Sequence, residues 1–141
     1  MAIWSMQHGA MPNVRILVIE DEPLIRLFVA DILEDAGFTV VEAASSAEAT
    51  RQMPLDQPPF DAVIIDVGLP DKRGDELADE LRATWKDLPI VIATGHDRNV
   101  LAQRFGQDRY VRVLGKPYYG DMLLGALSSM GVAAGEPGGK T

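Results

Sequence analysis

The sequence predicts an α/β fold: a doubly wound, five-stranded parallel sheet with helices on both faces. Short, continuously apolar runs alternate along the chain with longer stretches whose apolar residues recur at helical spacing. Several of the apolar runs end abruptly in a polar residue, which is typical of buried strands that reach the edge of a sheet. This alternation implies right-handed crossovers between parallel strands. We expect the flavodoxin-like strand order 2-1-3-4-5.

The first two predicted strands are separated by a long helix. Arg15 to Glu20 is an apolar run that ends in acid, and Pro23 then suits the first turn of a helix. Gly37 is placed to end this helix, and Thr39 to Ala43 is a β-branched strand. Phe28 is expected in the core. The apolar residues at helical spacing in this helix are Leu24, Leu27, Phe28, Ile32 and Leu33.

The third predicted strand, Phe60 to Asp66, is bounded by prolines and is apolar enough to be buried on both faces. Before it, Ser45 and Glu48 have the spacing of a capping box, which predicts a short helix that ends before Pro54. Asp66 emerges at the carboxyl end of a central strand, where ligands bind in open α/β sheets. We therefore assign chemistry to Asp66 first.

A loop through Gly74 is predicted to follow Asp66, with Asp75 as the N-cap of the next helix. The apolar residues Leu77, Leu81 and Trp85 repeat every four positions in this helix. One face of the helix should therefore pack on the core, with Trp85 as a core residue, while the opposite face is solvated.

The last two units repeat the alternation of strand and helix. Ile90 to Gly95 is a fourth buried strand, and Asp97 can cap a helix that runs through Phe105. Tyr110 to Leu114 is a fifth strand, and Asp121 begins a final helix. The apolar residues of that helix are Met122, Leu123, Leu127 and Met130.

Length and composition indicate one domain in 141 residues. We expect an irregular leader at residues 1–13, a folded domain at 14–130 and a flexible tail at 131–141. The net charge of −8 disfavours direct binding to nucleic acid, and the absence of cysteine excludes thiolate chemistry. No segment is apolar and long enough for a membrane span, so we expect a cytoplasmic protein.

Polar groups at four predicted strand ends converge on one edge of a parallel sheet: Glu20 with Asp21, then Asp66, Thr94 and Lys116. Crowded carboxylates repel each other unless a cation joins them, and an all-oxygen cluster suits Mg²⁺. A hydroxyl and an ammonium nearby can bind phosphoryl oxygens. Asp66 is then able to attack phosphorus in line and form an aspartyl phosphate.

These residues, in this order and together with Pro117, resemble the receiver domain of two-component response regulators over roughly Val14 to Met130. The resemblance implies that a histidine kinase or phosphotransfer protein donates the phosphoryl group to Asp66 in the presence of Mg²⁺. It further implies that the backbone carbonyl of Gly68 is a metal ligand.

The chain departs from the family pattern at Val113, where receivers usually carry an aromatic residue that moves with the threonine. Ile92 to His96 and Val113 to Tyr118 are similar to a subgroup of single-domain receivers that is marked by Phe-Ala-Thr-Gly-Tyr and lacks this ring. We expect a stand-alone receiver that signals by changed binding to a downstream protein not identified by the sequence. A homodimer is left open. By resemblance, the output surface includes Val100, Arg104, Arg112 and Tyr119.

Two alternative functions use the same residues. An aspartate-nucleophile phosphohydrolase also combines aspartates, magnesium, threonine and lysine, but generally needs a second carboxylate where this chain has Gly68. A receiver-like docking module would bind partners without taking phosphate. Loss of the acceptor or of the lysine would mark such a module, yet Asp66 and Lys116 are both present.

Overall fold

The computed structural model describes residues 13–53 and 59–134, which form five strands and five helices in strict alternation. The strands are β1 (Arg15–Ile19), β2 (Thr39–Ala43), β3 (Ala62–Asp66), β4 (Ile90–Thr94) and β5 (Val111–Gly115). The helices are α1 (Pro23–Asp35), α2 (Ser46–Arg51), α3 (Gly74–Thr84), α4 (Arg98–Arg104) and α5 (Gly120–Ser129). Among the described helices, none combines the length and the apolar character that crossing a bilayer requires.

The strands form a single parallel sheet in the order β2-β1-β3-β4-β5, which confirms the predicted fold class and topology. Ile19 of β1 pairs with Ile65 of β3, and Asp66 pairs with Ala93 of β4. Thr94 pairs with Gly115 at the end of β5. This register brings the carboxyl ends of the four strands β1, β3, β4 and β5 to the same edge of the sheet.

The core lies on both faces of the sheet, and every residue of β3 and β4 is buried. On one face, Leu33 of α1 and Leu123 of α5 pack with Ile16 of β1 and Ile64 of β3. On the other face, residues from α2, α3 and α4 cover the alternate strand positions. Full burial of one Leu or Ile side chain stabilises the fold by roughly 1.5–3 kcal/mol, so this double layer is the main stabilising element.

The predicted apolar face of α1 is wrong for three of its five residues. Leu24, Leu27 and Phe28 are exposed, by 81%, 52% and 53%, and the buried residues are Val29, Ala30 and Leu33. The helix is apolar around most of its circumference, so periodicity alone does not determine which face packs on the sheet. Val29, Ala30 and Leu33 lie on the face that packs on the sheet, and Leu24, Leu27 and Phe28 lie outside it.

Helix termini follow the predicted capping chemistry at α1 and α2. The amide of Glu48 donates to Oγ of Ser45 at 3.1 Å, as a capping box requires. The Glu48 carboxylate turns back to the amide of Ala44. After α1, Gly37 adopts a φ of +100°, and the Phe38 amide donates to the Leu33 carbonyl at 3.0 Å. Gly37 therefore ends α1 as a left-handed residue beyond the last turn.

Asp75 was predicted to cap α3, and this is wrong. The helix begins two residues earlier than predicted, at Gly74, and its N-cap is Arg73, while Asp75 lies buried in the first turn. Gly74 packs so tightly that a β-carbon there would lie 2.1 Å from the carbonyl oxygen of Asp66. Because only glycine permits this approach, the helix can begin directly against the end of β3.

Smaller differences concern the limits of elements. β3 begins at Ala62, because Asp61 is exposed and its carboxylate accepts the Arg15 amide at 2.9 Å. Trp85 is partly buried and packs against the core, as expected. Val132 is also buried, so core packing continues past the predicted boundary at residue 130. The rest of the predicted tail, almost all of the leader and Pro54 lie outside the described residues.

The contact between Gly74 and Asp66 predicts a large cost for Gly74→Ala. We expect a loss of about 1–3 kcal/mol in the free energy of unfolding, measured by urea denaturation, because the added methyl group forces the backbones apart. Gly125→Ala is the matched control, since Gly125 lies within α5 with nothing within 4 Å of the added carbon. That control should be neutral or stabilising by roughly 0.5–1 kcal/mol. Equal effects in both variants would contradict the close approach at Gly74.

Candidate functional site

The residues predicted from the strand ends lie at one edge of the sheet. Asp66 and Thr94 are the last residues of β3 and β4, and Glu20 and Lys116 directly follow β1 and β5. The amide of Lys116 donates to the Thr94 carbonyl at 2.8 Å, which extends the pairing of the two strands past Gly115. Buried apolar residues therefore hold the backbone at Glu20, Asp66 and Thr94, and the pairing with β4 holds the backbone at Lys116.

Three carboxylates form the acidic part of the site. One oxygen each from Glu20, Asp21 and Asp66 lies within 4.8 Å of the others. Glu20 and Asp66 are buried, and Asp21 is half-buried. Burial raises the pKa of Glu20, and the nearby charge of Asp66 adds to this effect, against the lowering effects of the Glu22 amide and Lys116. A set of oxygen donors at this spacing fits a hard divalent cation such as Mg²⁺.

Lys116 supplies the positive charge of the site. Its Nζ contacts Oδ1 of Asp66 and lies 3.5 Å from Oε1 of Glu20. Burial alone would lower the pKa of Lys116, but the hydrogen bond and charge of Asp66, helped by Glu20, outweigh burial and raise it. The side chain is therefore a firmly protonated ammonium that offsets part of the carboxylate repulsion.

Thr94 is buried, and its hydroxyl oxygen accepts hydrogen bonds from the loop that follows it. Oγ1 accepts hydrogen bonds from the amides of His96 and Asp97, at 3.3 and 3.2 Å. In this state the hydroxyl holds the loop between β4 and α4. The hydroxyl proton is not used by either amide, so it can be donated to an anionic group at Asp66, and rotation of the side chain toward that group would weaken both amide bonds.

Gly68 contacts Asp66 through its backbone amide. The amide donates to Oδ2 of Asp66 at 2.9 Å, and a β-carbon at Gly68 would lie 3.2 Å from the same oxygen. The Gly74 amide donates to the Val67 carbonyl at 2.9 Å, which closes the loop after β3. These contacts fix one carboxylate oxygen of Asp66 while Lys116 contacts the other.

Asp71 supports the loop that follows Asp66, and the sequence analysis did not predict this role. Its carboxylate accepts the amides of Ser46 and Ala47, at 3.0 and 2.9 Å, and thus joins the loop after β3 to the start of α2. These two amide bonds lower the pKa of Asp71. Its partners lie 24 and 25 residues away in the sequence, so local spacing gives no signal of the contact.

A second network missed from sequence surrounds Asp75, whose side chain is buried. Nε of Arg73 lies 3.0 Å from its Oδ1, and Nη1 of Arg104 contacts its Oδ2. Arg73 also reaches Asp97 at 3.3 Å, and Arg104 also contacts Asp79. Burial alone would raise the pKa of Asp75, but the hydrogen bonds from Arg104 and Arg73 outweigh it and lower this pKa. We call these five residues the Asp75 network.

An apolar cleft of about 400 Å³ opens beside Lys116. Its lining includes Ile25 and Phe28 of α1 together with Pro117 and Tyr118 after β5. Tyr118 is partly buried against the core, whereas its neighbour Tyr119 is 70% exposed. Phe28 is exposed at this cleft, and Leu24 and Leu27 are exposed within one turn of it on the same helix. We call these three residues the α1 patch.

The chain is similar to known proteins in sequence and in structure. A model of the response regulator receiver domain matches residues 16–128. The response regulator MprA of Mycobacterium ulcerans is 34% identical over 121 residues, and the transcriptional regulatory protein PdtaR of Mycobacterium tuberculosis is 35% identical over 111. These matches cover 84% and 78% of this chain but 50% and 52% of the relatives, so the chain spans about half the length of these two curated relatives.

Solved structures agree with the topology. The response regulator TrrA of Thermotoga maritima, crystallised in complex with Mg²⁺ and BeF, superposes with a TM-score of 0.70 at 28% identity. The superposition covers 83% of this chain and 98% of that chain.

Tyr118 gives the site a measurable pH dependence. Burial raises its pKa from 10.0 to about 12, and the charges of Glu20 and Asp66 add to the shift. Between these two pH values the folded protein binds more protons than the unfolded chain, so stability should fall as the pH rises through this window. Tyr118→Phe should remove this part of the decline, as measured by urea denaturation from pH 9.5 to 11.5. Identical slopes in both proteins would contradict the assignment.

Proposed function

Because the chain belongs to the response regulator receiver domain family, we propose that Asp66 accepts a phosphoryl group from a histidine kinase or a phosphotransfer protein. The observation that carries this proposal is the convergence at Asp66. Its carboxylate ends a buried central strand beside Glu20 and Asp21, and Lys116 contacts it directly. Receiver domains interact with histidine kinases, and a donor of this class, or a phosphotransfer protein, stays the prediction for this chain.

The chemistry follows from the groups at the sheet edge. A carboxylate oxygen of Asp66 attacks phosphorus and forms an acyl phosphate, while the bond from phosphorus to the donor breaks and the donor keeps that electron pair. Lys116 then binds a phosphoryl oxygen and stabilises the charge on it. Thr94 binds a second phosphoryl oxygen through its hydroxyl once the His96 and Asp97 amides release it.

The acidic cluster is proposed to hold Mg²⁺. Glu20, Asp21, Asp66 and the backbone carbonyl of Gly68 would be its ligands, and the oxygen-only donor set fits this ion. When bound, magnesium neutralises charge between the carboxylates and the phosphoryl oxygens. The TrrA neighbour, solved with Mg²⁺ and BeF, supports the assignment.

The signal is proposed to leave through changed protein binding at the surface formed by α4, β5 and α5. Val100 and Tyr119 are 66% and 70% exposed and are free to contact a partner. Arg112 reaches Ser129 of α5 at 3.0 Å and so joins β5 to that helix. Signalling to a downstream protein and a cytoplasmic location stay predictions, and a homodimer stays an open alternative.

The α1 patch is proposed to dock the phosphodonor protein. A donor histidine must approach Asp66 closely, so its own protein must cover the surface around the sheet edge. The 81% exposed Leu24 and the 53% exposed Phe28 lie on the helix that lines the cleft beside Lys116. Exposed large apolar side chains that form a contiguous patch mark interaction sites.

The phosphohydrolase alternative is less favoured by the site. An enzyme of that type needs an acid or base near the leaving group, and Gly68 offers an amide hydrogen bond to Asp66 instead of a carboxylate. The docking-module alternative leaves unused the ammonium that contacts Asp66. A single phosphorylation assay distinguishes a receiver from both alternatives, because each predicts a different result.

Incubation with acetyl phosphate and Mg²⁺ should add one phosphoryl group to the protein, detected by intact mass spectrometry. Asp66→Asn should abolish the gain because the amide is not a nucleophile, and EDTA should suppress it in the parent. Asp61→Asn, at the exposed carboxylate before β3, is the matched control and should leave the gain intact. No gain with acetyl phosphate or any histidine kinase would favour the docking module, and multiple turnover on organic phosphates would favour the hydrolase.

Replacing Leu24 and Phe28 together by Gln should slow phosphotransfer from a protein donor by roughly tenfold or more, since the loss of two apolar contacts weakens docking. Phosphorylation by acetyl phosphate should be unchanged. The donor is the phosphorylated histidine kinase that reacts fastest with the parent in a panel, and Val100→Gln is the exposed control on α4. Unchanged transfer would show that the donor docks elsewhere, and lost self-association in the variant would assign the patch to a second copy.

A further inference from the structure

Asp75 is a buried charge that the proposed phosphoryl chemistry does not use. Its side chain is about 7% exposed, yet it stays ionised because two arginines from different elements hold its two oxygens. A buried carboxylate is strongly destabilising once it loses its partners. The position of Asp75 is therefore sensitive to where Arg73 and Arg104 lie.

One end of the Asp75 network is tied to the phosphoryl site. Arg73 directly precedes Gly74, whose backbone packs against the Asp66 carbonyl. The Arg73 guanidinium also binds the carboxylate of Asp97, and the amide of Asp97 donates to the hydroxyl of Thr94. A rearrangement of the Thr94 hydroxyl is thus two contacts away from Arg73.

The other end of the network holds α4. Arg104 is the last residue of this seven-residue helix and is bound to Asp75 and Asp79, both on α3. Within α4 itself, Leu101 is the buried residue that anchors the helix to the core. Phe105, directly after the helix, is partly buried and also packs against the core. The ion pairs of Arg104 are the polar contacts at this end, so the position of α4 should depend on them.

Resting on the proposed phosphorylation of Asp66, we propose that Asp75 relays the state of the phosphoryl site to α4 through Arg73 and Arg104. When the Thr94 hydroxyl turns to a phosphoryl oxygen, it releases the Asp97 amide, and the Asp97 carboxylate shifts against Arg73. Arg73 and Arg104 share one carboxylate, so a change in one contact alters the other. The relay supplies a route to α4 where Val113 provides no aromatic ring.

The experiment compares hydrogen exchange of α4 with and without Mg²⁺ and beryllofluoride, an analogue of the bound phosphoryl group. Fluorine NMR reports occupancy of the site independently of α4. Asp75→Asn removes the central charge of the network with little change in side-chain shape. Arg73→Gln removes the charge of a half-exposed member. Arg82→Gln is the matched control, because Arg82 forms a similar ion pair with Asp108 at 2.7 Å outside the network.

We expect the parent and Arg82→Gln to show a change in α4 exchange on beryllofluoride binding. Both network variants should bind the analogue while their α4 response shrinks to the level of Asp66→Asn. Binding with an undiminished α4 response in Asp75→Asn or Arg73→Gln would overturn the relay alone. Failure of the parent to bind beryllofluoride would overturn the proposed function and the relay with it.

Discussion

The contact of Lys116 with the carboxylates at the sheet edge is the interaction on which the site depends. Two unit charges about 4 Å apart near a protein surface interact by about 4 kcal/mol, so three crowded carboxylates repel strongly without a cation. The ammonium of Lys116 offsets this repulsion at Asp66 and Glu20. Because one ammonium does not balance three carboxylates, the site keeps a net negative charge that favours binding of a divalent cation. The parallel sheet holds all of these groups in place.

Much of the fold and the polar residues of the site could be predicted because their signals are local. Each buried strand is a continuous apolar run, and the polar residue at its end shows where the run reaches the sheet edge. Parallel topology then brings Asp66 and Lys116 together without knowledge of any side-chain contact. The face of α1 could not be predicted in this way, because Phe28 and Val29 are both apolar and only packing on the sheet selects between them.

The supporting contacts escaped prediction because they join residues far apart in sequence. In the sequence, Asp71 looks like an ordinary loop aspartate. Only the folded chain shows that its carboxylate binds the amides at the start of α2. Asp75 resembles an N-cap in sequence but is a buried partner of Arg104, which lies 29 residues away. Contacts between residues so far apart leave no periodic pattern in the sequence, so the roles of Asp71 and Asp75 become visible only in the folded chain.

A crystal structure of the protein with Mg²⁺ and beryllofluoride tests the central claim most directly. We predict a beryllium atom bonded to a carboxylate oxygen of Asp66, with Lys116 and the Thr94 hydroxyl in contact with the fluorine atoms. The magnesium ion should contact Glu20, Asp21 or Asp66, and the hydrogen bonds from the His96 and Asp97 amides to Thr94 should be broken. Beryllofluoride bound at another residue, or an Asp66 carboxylate that stays unmodified under saturating conditions, would contradict it.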